Sequence, residues 1–313
     1  MALLLLHLTG QTEASWADRY RAALPGHRVV LRGDDFDPAE VDYIFAWKPQ
    51  ADAFAGLTGL KAVLSLGAGV DALLRHPDLP DVPIVRFVDA DLTRRMTDYV
   101  IAHVTMHHRQ FTRFAADQRA RRWAQIYPPA AQETHVGVMG LGALGEDAAR
   151  HLIALGFSVR GWSRTPKSIL GVESFAGQEG FDAFLAGTDI LVNLLPLTPD
   201  TQGILNRATF AKLRRHLDGG PVLINAARGG HQREVDIAAA LTDGTLGAAS
   251  LDVFEVEPLP AASPLWDLPN CYITPHIAAI SNEAAGVAYF SKIILGHEAG
   301  HPLINVVDRD LGY

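Results

Sequence analysis

The sequence predicts an α/β protein with two doubly wound parallel sheets. Three observations lead there. Short apolar runs alternate with helix-like stretches along nearly the whole chain, the pattern of repeated β–α–β units with parallel strands. A stretch free of Pro and Gly, at about residues 94–124, separates two such series. The length, 313 residues, suits two domains of about 150 residues each.

In the first series, strands are expected at 3–8, 28–31, 42–47, 61–66 and 83–88, with a helix at 13–24 that stops before Pro25-Gly26. Gly67-Ala68-Gly69 follows one of these strands and precedes a helix. The polar stretch at 94–124 reads as a connecting helix plus a protruding arm, since a helix this long needs a surface to pack on; a helix packed on its own domain is the alternative. In the second series, strands are expected at 135–139, 158–163, 189–195, 222–226, 248–253 and 272–274, and residues 165–180 read as loop. A last helix at 282–295 and a tail from His301 suggest that the chain returns to its first domain. The expected domains are therefore 1–95 with 283–313 for substrate, and 96–282 for a dinucleotide, with a dimerisation arm near 100–125.

Composition narrows the function. Apolar residues make up 48% and charged residues 20%, which excludes general disorder. Lys and Arg total 27 against 35 Asp and Glu, a net charge of −8. That balance argues against nucleic-acid and membrane partners. The basic run Arg119-Ala120-Arg121-Arg122 is short and reads as a solvated helix face. One cysteine, Cys271, allows neither an intrachain disulfide nor a Cys-based zinc site, and no metal is expected. The four leucines at 3–6 are too few for a signal peptide or a membrane span. A cytoplasmic protein is expected.

Gly140-Leu141-Gly142-Ala143-Leu144-Gly145 follows an apolar strand, opens a helix and is followed by another strand. In this context the pattern points to a dinucleotide site. The glycines allow a tight turn, close approach to a pyrophosphate and close helix–strand packing, while the helix N-terminus offers N–H groups and partial positive charge. Leu144, Ala148, Leu152 and Leu155 are the expected buried face. The second strand ends Trp162-Ser163-Arg164-Thr165-Pro166-Lys167, without the acid that accepts from the ribose hydroxyls of NAD. Arg164 and Lys167 suit a 2′-phosphate, and Ser163 and Thr165 can donate to it. NADPH is the expected cofactor, with NADH possible.

Three charged groups follow successive later strands: Arg228 in Asn225-Ala226-Ala227-Arg228, Glu257 after Asp252, and His276 in Thr274-Pro275-His276. In an open α/β sheet all fall at the carboxyl ends of the strands, where ligands bind. The chemistry of reducing a 2-oxo acid assigns their roles. Hydride reaches the carbonyl carbon, and His276 protonates the oxygen. Glu257 fixes the imidazole and favours its charged form. Arg228 holds the substrate carboxylate and polarises the carbonyl.

The ordered set Gly140-x-Gly142-x-x-Gly145, Asn225-x-x-Arg228-Gly229, Asp252-Val253-Phe254-x-x-Glu257-Pro258 and Pro275-His276 resembles the D-isomer-specific 2-hydroxyacid dehydrogenases over nearly the whole chain. Within that family, Trp162-Ser163-Arg164, Trp47-Lys48-Pro49 and the C-terminal residues from Asn305 to Tyr313 look most like the glyoxylate/hydroxypyruvate reductase A group. The resemblance implies a Rossmann NADP-binding domain, a flavodoxin-like substrate domain assembled from both chain ends, a cleft between them, and a homodimer. It implies that Arg228, Glu257 and His276 are catalytic and that Gly67, Ala68 and Gly69 offer N–H groups to the substrate carboxylate. Trp47 would line the substrate pocket, Leu195, Pro196, Ala226 and Ala227 would flank the cofactor, and Asp252 would face the nicotinamide amide. Two segments depart from the family's commoner pattern, Gly229-Gly230-His231-Gln232-Arg233-Glu234 and Met96-Thr97-Asp98-Tyr99. The expected activity is reduction of small 2-oxo acids, glyoxylate and hydroxypyruvate first, to 2-hydroxy acids. Two alternatives stay open: an NADH-linked dehydrogenase for a bulkier acid, and a non-catalytic dinucleotide sensor.

Overall fold

The computed structural model describes residues 2–8, 13–67 and 69–313. Its elements run β1 (Leu3–Leu8), α1 (Glu13–Ala23), β2 (Arg28–Leu31), β3 (Val41–Trp47), β4 (Ala62–Ser65), α2 (Asp71–Leu74), β5 (Ile84–Arg86), α3 (Ala90–His108) and α4 (Phe111–Arg119). There follow β6 (His135–Met139), α5 (Ala143–Ala154), β7 (Ser158–Ser163), β8 (Val172–Ala176), α6 (Gly177–Ala186), β9 (Ile190–Asn193), α7 (Arg207–Ala211) and β10 (Val222–Asn225). The chain continues with α8 (Glu234–Thr242), β11 (Ala248–Leu251), β12 (Cys271–Ile273) and α9 (Glu283–Glu298). It divides into two compact units, one of residues 1–92 and 281–313, the other of residues 93–280.

The first unit is a five-stranded sheet in the order β2-β1-β3-β4-β5 with every pairing parallel. The leucines of β1 show why. Leu3 and Leu5 enter a cluster with Ile44, Val63 and Phe54. Leu4 and Leu6 are also fully buried and, by the two-residue period of a strand, point to the opposite face. A strand buried on both sides reads as a continuous apolar run, the mark of a parallel sheet covered on both faces. The aromatic rings Tyr20, Phe45 and Phe290 touch in sequence, the first pair tilted and the second edge to face, with centroids 4.2 and 5.7 Å apart, and join α1 and α9 to β3. The tail protects the β5 edge: Val306 bridges Val85, Arg86 N–H donates to the Asn305 carbonyl, and Val307 N–H donates to that of Ile84.

The second unit is a seven-stranded parallel sheet in the order β12-β11-β10-β9-β6-β7-β8. Alternate residues of its strands feed two cores. Val136, Val138, Ile190, Val192 and Ile224 pack with Val100 and Val104 of α3 and Ala148, Ala149 and Leu152 of α5. Met139, Leu191, Leu223, Ala249 and Leu251 pack with Phe184 of α6 and Ile237 of α8. Each Val, Leu, Ile, Phe or Met side chain among these contributes about 1.5–3 kcal/mol when fully buried. The strand order reverses between β6 and β9, so a crevice opens beyond their carboxyl ends.

Four expectations need correction. Within the stretch 165–180 expected as loop, residues 172–176 form strand β8 and helix α6 begins at Gly177, running to Ala186. β8 is an edge strand with no fully buried side chain, so its apolar signal is weak, while Phe181, Phe184 and Leu185 supply the buried face of α6. The long helix breaks at Gln110, which takes a left-handed conformation at φ 59° and ends α3 as a C-cap residue does. The basic run is not a helix face: α4 stops at Arg119, Arg121 sits at φ 53°, and Arg122 turns back to the buried Asp117. Leu155 is half exposed, 51%, because α5 ends before it.

One face of α3 is polar yet covered. Tyr99, His103 and His107 recur every fourth residue and so line one stripe. Nδ1 of His103 and Nε2 of His107 lie 2.7 and 2.8 Å from the fully buried Ser250 hydroxyl, which donates to one ring and accepts from the other. Burial, reinforced by the neighbouring His103, lowers His107 to a pKa of about 3. Burial also lowers His103 and His108. Below pH 6.5 the unfolded chain takes up a proton that folded His107 refuses, so this contribution is complete above pH 6.5 and lost as the pH falls toward 3. The melting temperature is expected to hold steady above neutrality and to fall on acidification below about pH 6.5. His107→Gln should make that fall shallower; melting curves from pH 8 to pH 5 that are equally steep for both proteins would refute the assignment.

Candidate active site

The loop after β6 is shaped by close backbone approach. Gly140 sits at φ 93°, its N–H donates to the Trp162 carbonyl at 2.8 Å, and a Cβ there would lie 2.7 Å from the Leu194 carbonyl oxygen. The loops after β6 and β9 therefore touch at the switch point. A Cβ on Gly145 would collide with the Gly140 carbonyl, so only glycine lets α5 begin this close to β6. Gly142 is different. It is the N-cap of α5, no side chain caps the helix, and a Cβ there meets nothing within 4 Å. Open space in front of uncapped N–H groups fits a pyrophosphate. Leu141 is buried beneath the loop, Ala143 is exposed and Leu144 half-buried.

β7 ends at Ser163 beside this loop. Its hydroxyl, expected to donate to a phosphate, instead donates to the Thr165 carbonyl at 2.8 Å and shapes the turn. Arg164, Thr165 and Lys167 are exposed on that turn. Two cations and no carboxylate between residues 163 and 167 fit a 2′-phosphate.

The loops after β9, β10 and β11 are tied by a ladder of buried amides. Asn193 accepts from Leu195 N–H at 3.3 Å and donates to Asn225 at 3.0 Å. Asn225 accepts from Ala227 N–H at 3.2 Å and donates to Gln232 at 2.8 Å and to the Arg228 carbonyl at 3.2 Å. Gln232 donates to the Val253 carbonyl at 2.9 Å. The fully buried His231 sits between the Arg228 and Pro196 carbonyls, 3.1 and 3.2 Å from its two nitrogens. This lattice sets Leu195, Pro196, Ala226 and Ala227 and the backbone of Arg228. The Arg228 side chain is half-buried, and its Nη1 donates to the Ala227 carbonyl at 2.7 Å. A Cβ on Gly229 would strike the Phe254 carbonyl. The Arg228 loop thus lies directly against the loop that carries Glu257.

Glu257 and His276 meet. Nδ1 of His276 is 2.8 Å from Oε2 of Glu257, and the other carboxylate oxygen accepts from Phe254 N–H at 3.2 Å. The imidazole is 36% exposed, and among the described residues its Nε2 has no hydrogen-bond partner. His276 takes φ 54°, a left-handed conformation that non-glycine residues rarely adopt. Asp252 holds it there. This carboxylate is 1% exposed; Oδ1 accepts from the Thr274 hydroxyl at 2.6 Å and Ile277 N–H at 2.8 Å, and Oδ2 accepts from Ala278 N–H at 2.9 Å. The Asp252 carbonyl accepts from His276 N–H at 2.8 Å. Asp252 therefore faces the histidine loop with both oxygens.

In the other unit, Trp47 ends β3 half-buried, and its Cε3 would lie 3.0 Å from a Cβ on Gly67, which follows β4. The indole covers the Gly67 backbone, a position closed to any larger residue. Gly69 leads into α2. Ala68 lies outside the described residues.

The ladder residues Asn193 and Gln232 and the pair Tyr99 and Thr274 tie the site's loops together, and sequence reasoning missed them. Gln232 and Tyr99 stand in the two segments that depart from the family pattern, and that was the available signal. Burial pushes the Cys271 thiol up to about 12, so it stays a protonated thiol near neutrality. Among the described residues no cluster of His, Cys, Asp and Glu is placed to hold a metal, and no helix is long and apolar enough to cross a membrane.

The family model of the D-isomer specific 2-hydroxyacid dehydrogenase NAD binding domain matches residues 101–278. Over the full length of both proteins the chain is 42% identical to the glyoxylate/hydroxypyruvate reductase A of Escherichia fergusonii. It is 44% identical to that of Serratia proteamaculans over 91% of each. The crystal structure of the NADPH-dependent glyoxylate/hydroxypyruvate reductase of Sinorhizobium meliloti, in complex with NADP and sulfate, superposes with a TM-score of 0.94 at 46% identity, covering 100% of both chains. That of a D-isomer specific 2-hydroxyacid dehydrogenase from Xanthobacter autotrophicus, in complex with NADPH and MES, gives 0.94 at 43% identity, covering 100% of this chain and 99% of the other. With its glycine loop, strand-end arginine and paired histidine in place, the chain belongs to the D-isomer specific 2-hydroxyacid dehydrogenases.

Proposed function

We propose that this protein reduces glyoxylate to glycolate and hydroxypyruvate to D-glycerate, with NADPH as its preferred reductant and NADH as a second one. The observation that carries the reading is His276, paired through Nδ1 with Glu257 at 2.8 Å and left with Nε2 unengaged among the described residues. The names of the full-length relatives and the NADP or NADPH in similar crystal structures support it.

In this reading the N–H groups of residues 140–145, with α5 behind them, hold the cofactor's pyrophosphate. Arg164, Thr165 and Lys167 hold its 2′-phosphate, and Leu195, Pro196, Ala226 and Ala227 flank it. Bound NADPH supplies the hydride that reduces the carbonyl carbon. Arg228 holds the substrate's carboxylate and polarises its carbonyl through its planar guanidinium. As the C=O bond becomes C–O–H, the protonated imidazole gives the oxygen its Nε2 proton and later regains one from water. Glu257 anchors Nδ1, so the ring keeps one orientation through both steps. Within the other unit, Gly67 and Gly69 carry backbone N–H groups suited to a carboxylate, and the Trp47 indole lies over Gly67.

We further propose a cytoplasmic homodimer. Phe111, Phe114, Trp123 and Tyr127 are 59%, 38%, 94% and 84% exposed on and beyond α4. A concentration of large apolar side chains in water marks an interaction surface, and a second copy of the chain is the proposed occupant.

The purified protein should oxidise NADPH when glyoxylate or hydroxypyruvate is added; no turnover with any small 2-oxo acid would reject the proposal. His276→Ala should lower kcat by about 10²–10⁴-fold, and a wild-type rate in that variant would remove the histidine from the mechanism. Arg164→Ala should raise KM for NADPH about tenfold or more, the worth of a charge-assisted hydrogen bond, and leave KM for NADH nearly unchanged; equal losses with both cofactors would contradict the 2′-phosphate assignment. Light scattering should give about twice the chain mass of 33.8 kDa, and Trp123→Asp with Tyr127→Asp should shift the mass toward the monomer. A monomeric wild type would end the dimer proposal.

A further inference from the structure

Helix α3 reaches the histidine loop through one hydrogen-bonded chain. The Tyr99 hydroxyl lies 2.9 Å from Oγ1 of Thr274. The single proton of that threonine hydroxyl goes to Oδ1 of Asp252 at 2.6 Å. Toward Tyr99 it can only accept, so the phenol is the donor. Burial, against a smaller opposing effect of the Thr274 hydrogen bond, raises the Tyr99 pKa far above neutrality, so the phenol keeps its proton at any working pH. The ring is steadied by His103, whose centroid lies 4.2 Å away and whose Nδ1 is fixed on Ser250, two residues before Asp252 on the chain.

The chain ends where geometry matters most. Asp252 must present its oxygens to Ile277 and Ala278 N–H at 2.8 and 2.9 Å. Between these residues and Thr274, His276 is held at φ 54°. Such a conformation is strained for a non-glycine residue and persists only where the surroundings over-determine it. The Thr274 hydroxyl fixes the rotation of the Asp252 carboxylate, and Tyr99 fixes the rotation of that hydroxyl. Without the phenol the Thr274 hydroxyl loses its second partner, and the carboxylate loses part of what aims it.

We propose that Tyr99 is a positioning residue for catalysis: through Thr274 and Asp252 it holds the loop in the one conformation that aims His276 at the substrate. The catalytic meaning of this inference rests on the reductase reading above; its structural content, a phenol on α3 that orders residues 274–278, stands apart from it.

The test compares wild type with Tyr99→Phe, Thr274→Val and Thr274→Ser, using NADPH and glyoxylate. Tyr99→Phe and Thr274→Val should lower kcat about tenfold, shift the pH dependence of kcat that reports His276, and leave KM for NADPH within about twofold, since a small misplacement of a reacting group costs rate and not cofactor affinity. Thr274→Ser restores the hydroxyl and should recover most of the rate. Hydrogen exchange of the amides at 277 and 278 should quicken in Tyr99→Phe and Thr274→Val while the melting temperature changes little. Unchanged exchange at these amides in Tyr99→Phe overturns the inference whether or not the protein turns over. A wild-type kcat and pH profile in Tyr99→Phe also overturns it. A wild type without turnover, but with faster exchange in the variants, would overturn the reductase reading alone.

Discussion

A carboxylate buried to 1% exposure is expensive unless donors surround it, because leaving water costs an ion several kcal/mol. Asp252 meets that demand with no cation hydrogen-bonded to its carboxylate among the described residues. Its donors are a hydroxyl and two backbone N–H groups from residues 274–278, while its own carbonyl takes the His276 N–H. The charge is satisfied only if this loop folds one way. The loop, in turn, tolerates a left-handed histidine only because the charge holds it. The orientation of the imidazole follows from that mutual constraint, with Glu257 setting the rotation of the ring about its outer bonds.

The rest of the second unit serves to bring such loops together. Its sheet is apolar on both faces, so its strands lie fixed between helices and their carboxyl ends do not drift. On that base the amide ladder from Asn193 through Asn225 to Gln232 spaces the loops after β9, β10 and β11. Glycines appear where two backbones must nearly touch: Gly145 against Gly140, and Gly229 against Phe254. Buried amide networks of this kind are valuable when complete, since each member's loss would leave its partner unsatisfied in a low dielectric.

Helix α3 shows that a polar sequence need not mean a solvated face. Its histidines look like surface residues by type. Burial keeps His107 neutral, and Ser250 satisfies both rings. The helix packs on its own unit through Met96, Val100 and Val104, and its polar stripe is the seam to β11 and β12. The exposed aromatic residues come later, at α4 and after it.

Much of the fold was legible in the residues themselves. Runs such as Leu3–Leu8 and Ile190–Asn193 announce strands buried on both sides, and the Gly140–Gly145 spacing announces a turn into a helix. These signals are local: strand period, helix period, and the φ values only glycine takes freely. β8 escaped because an edge strand with no fully buried side chain carries no apolar run, and the break at Gln110 escaped because no Gly or Pro marks it. At the site, the identities of Arg228, Glu257 and His276 stand out because their charges follow successive strands. What joins them does not stand out. The approach of Glu257 to His276, the grip of Asp252 on residues 274–278 and the reach of Tyr99 to Thr274 span 19, 22 to 26, and 175 residues of chain. Residue types determined which groups are able to carry the chemistry. Only the packed sheet decided their distances, because a hydrogen bond is set by where two strands end and not by how far apart they lie in sequence.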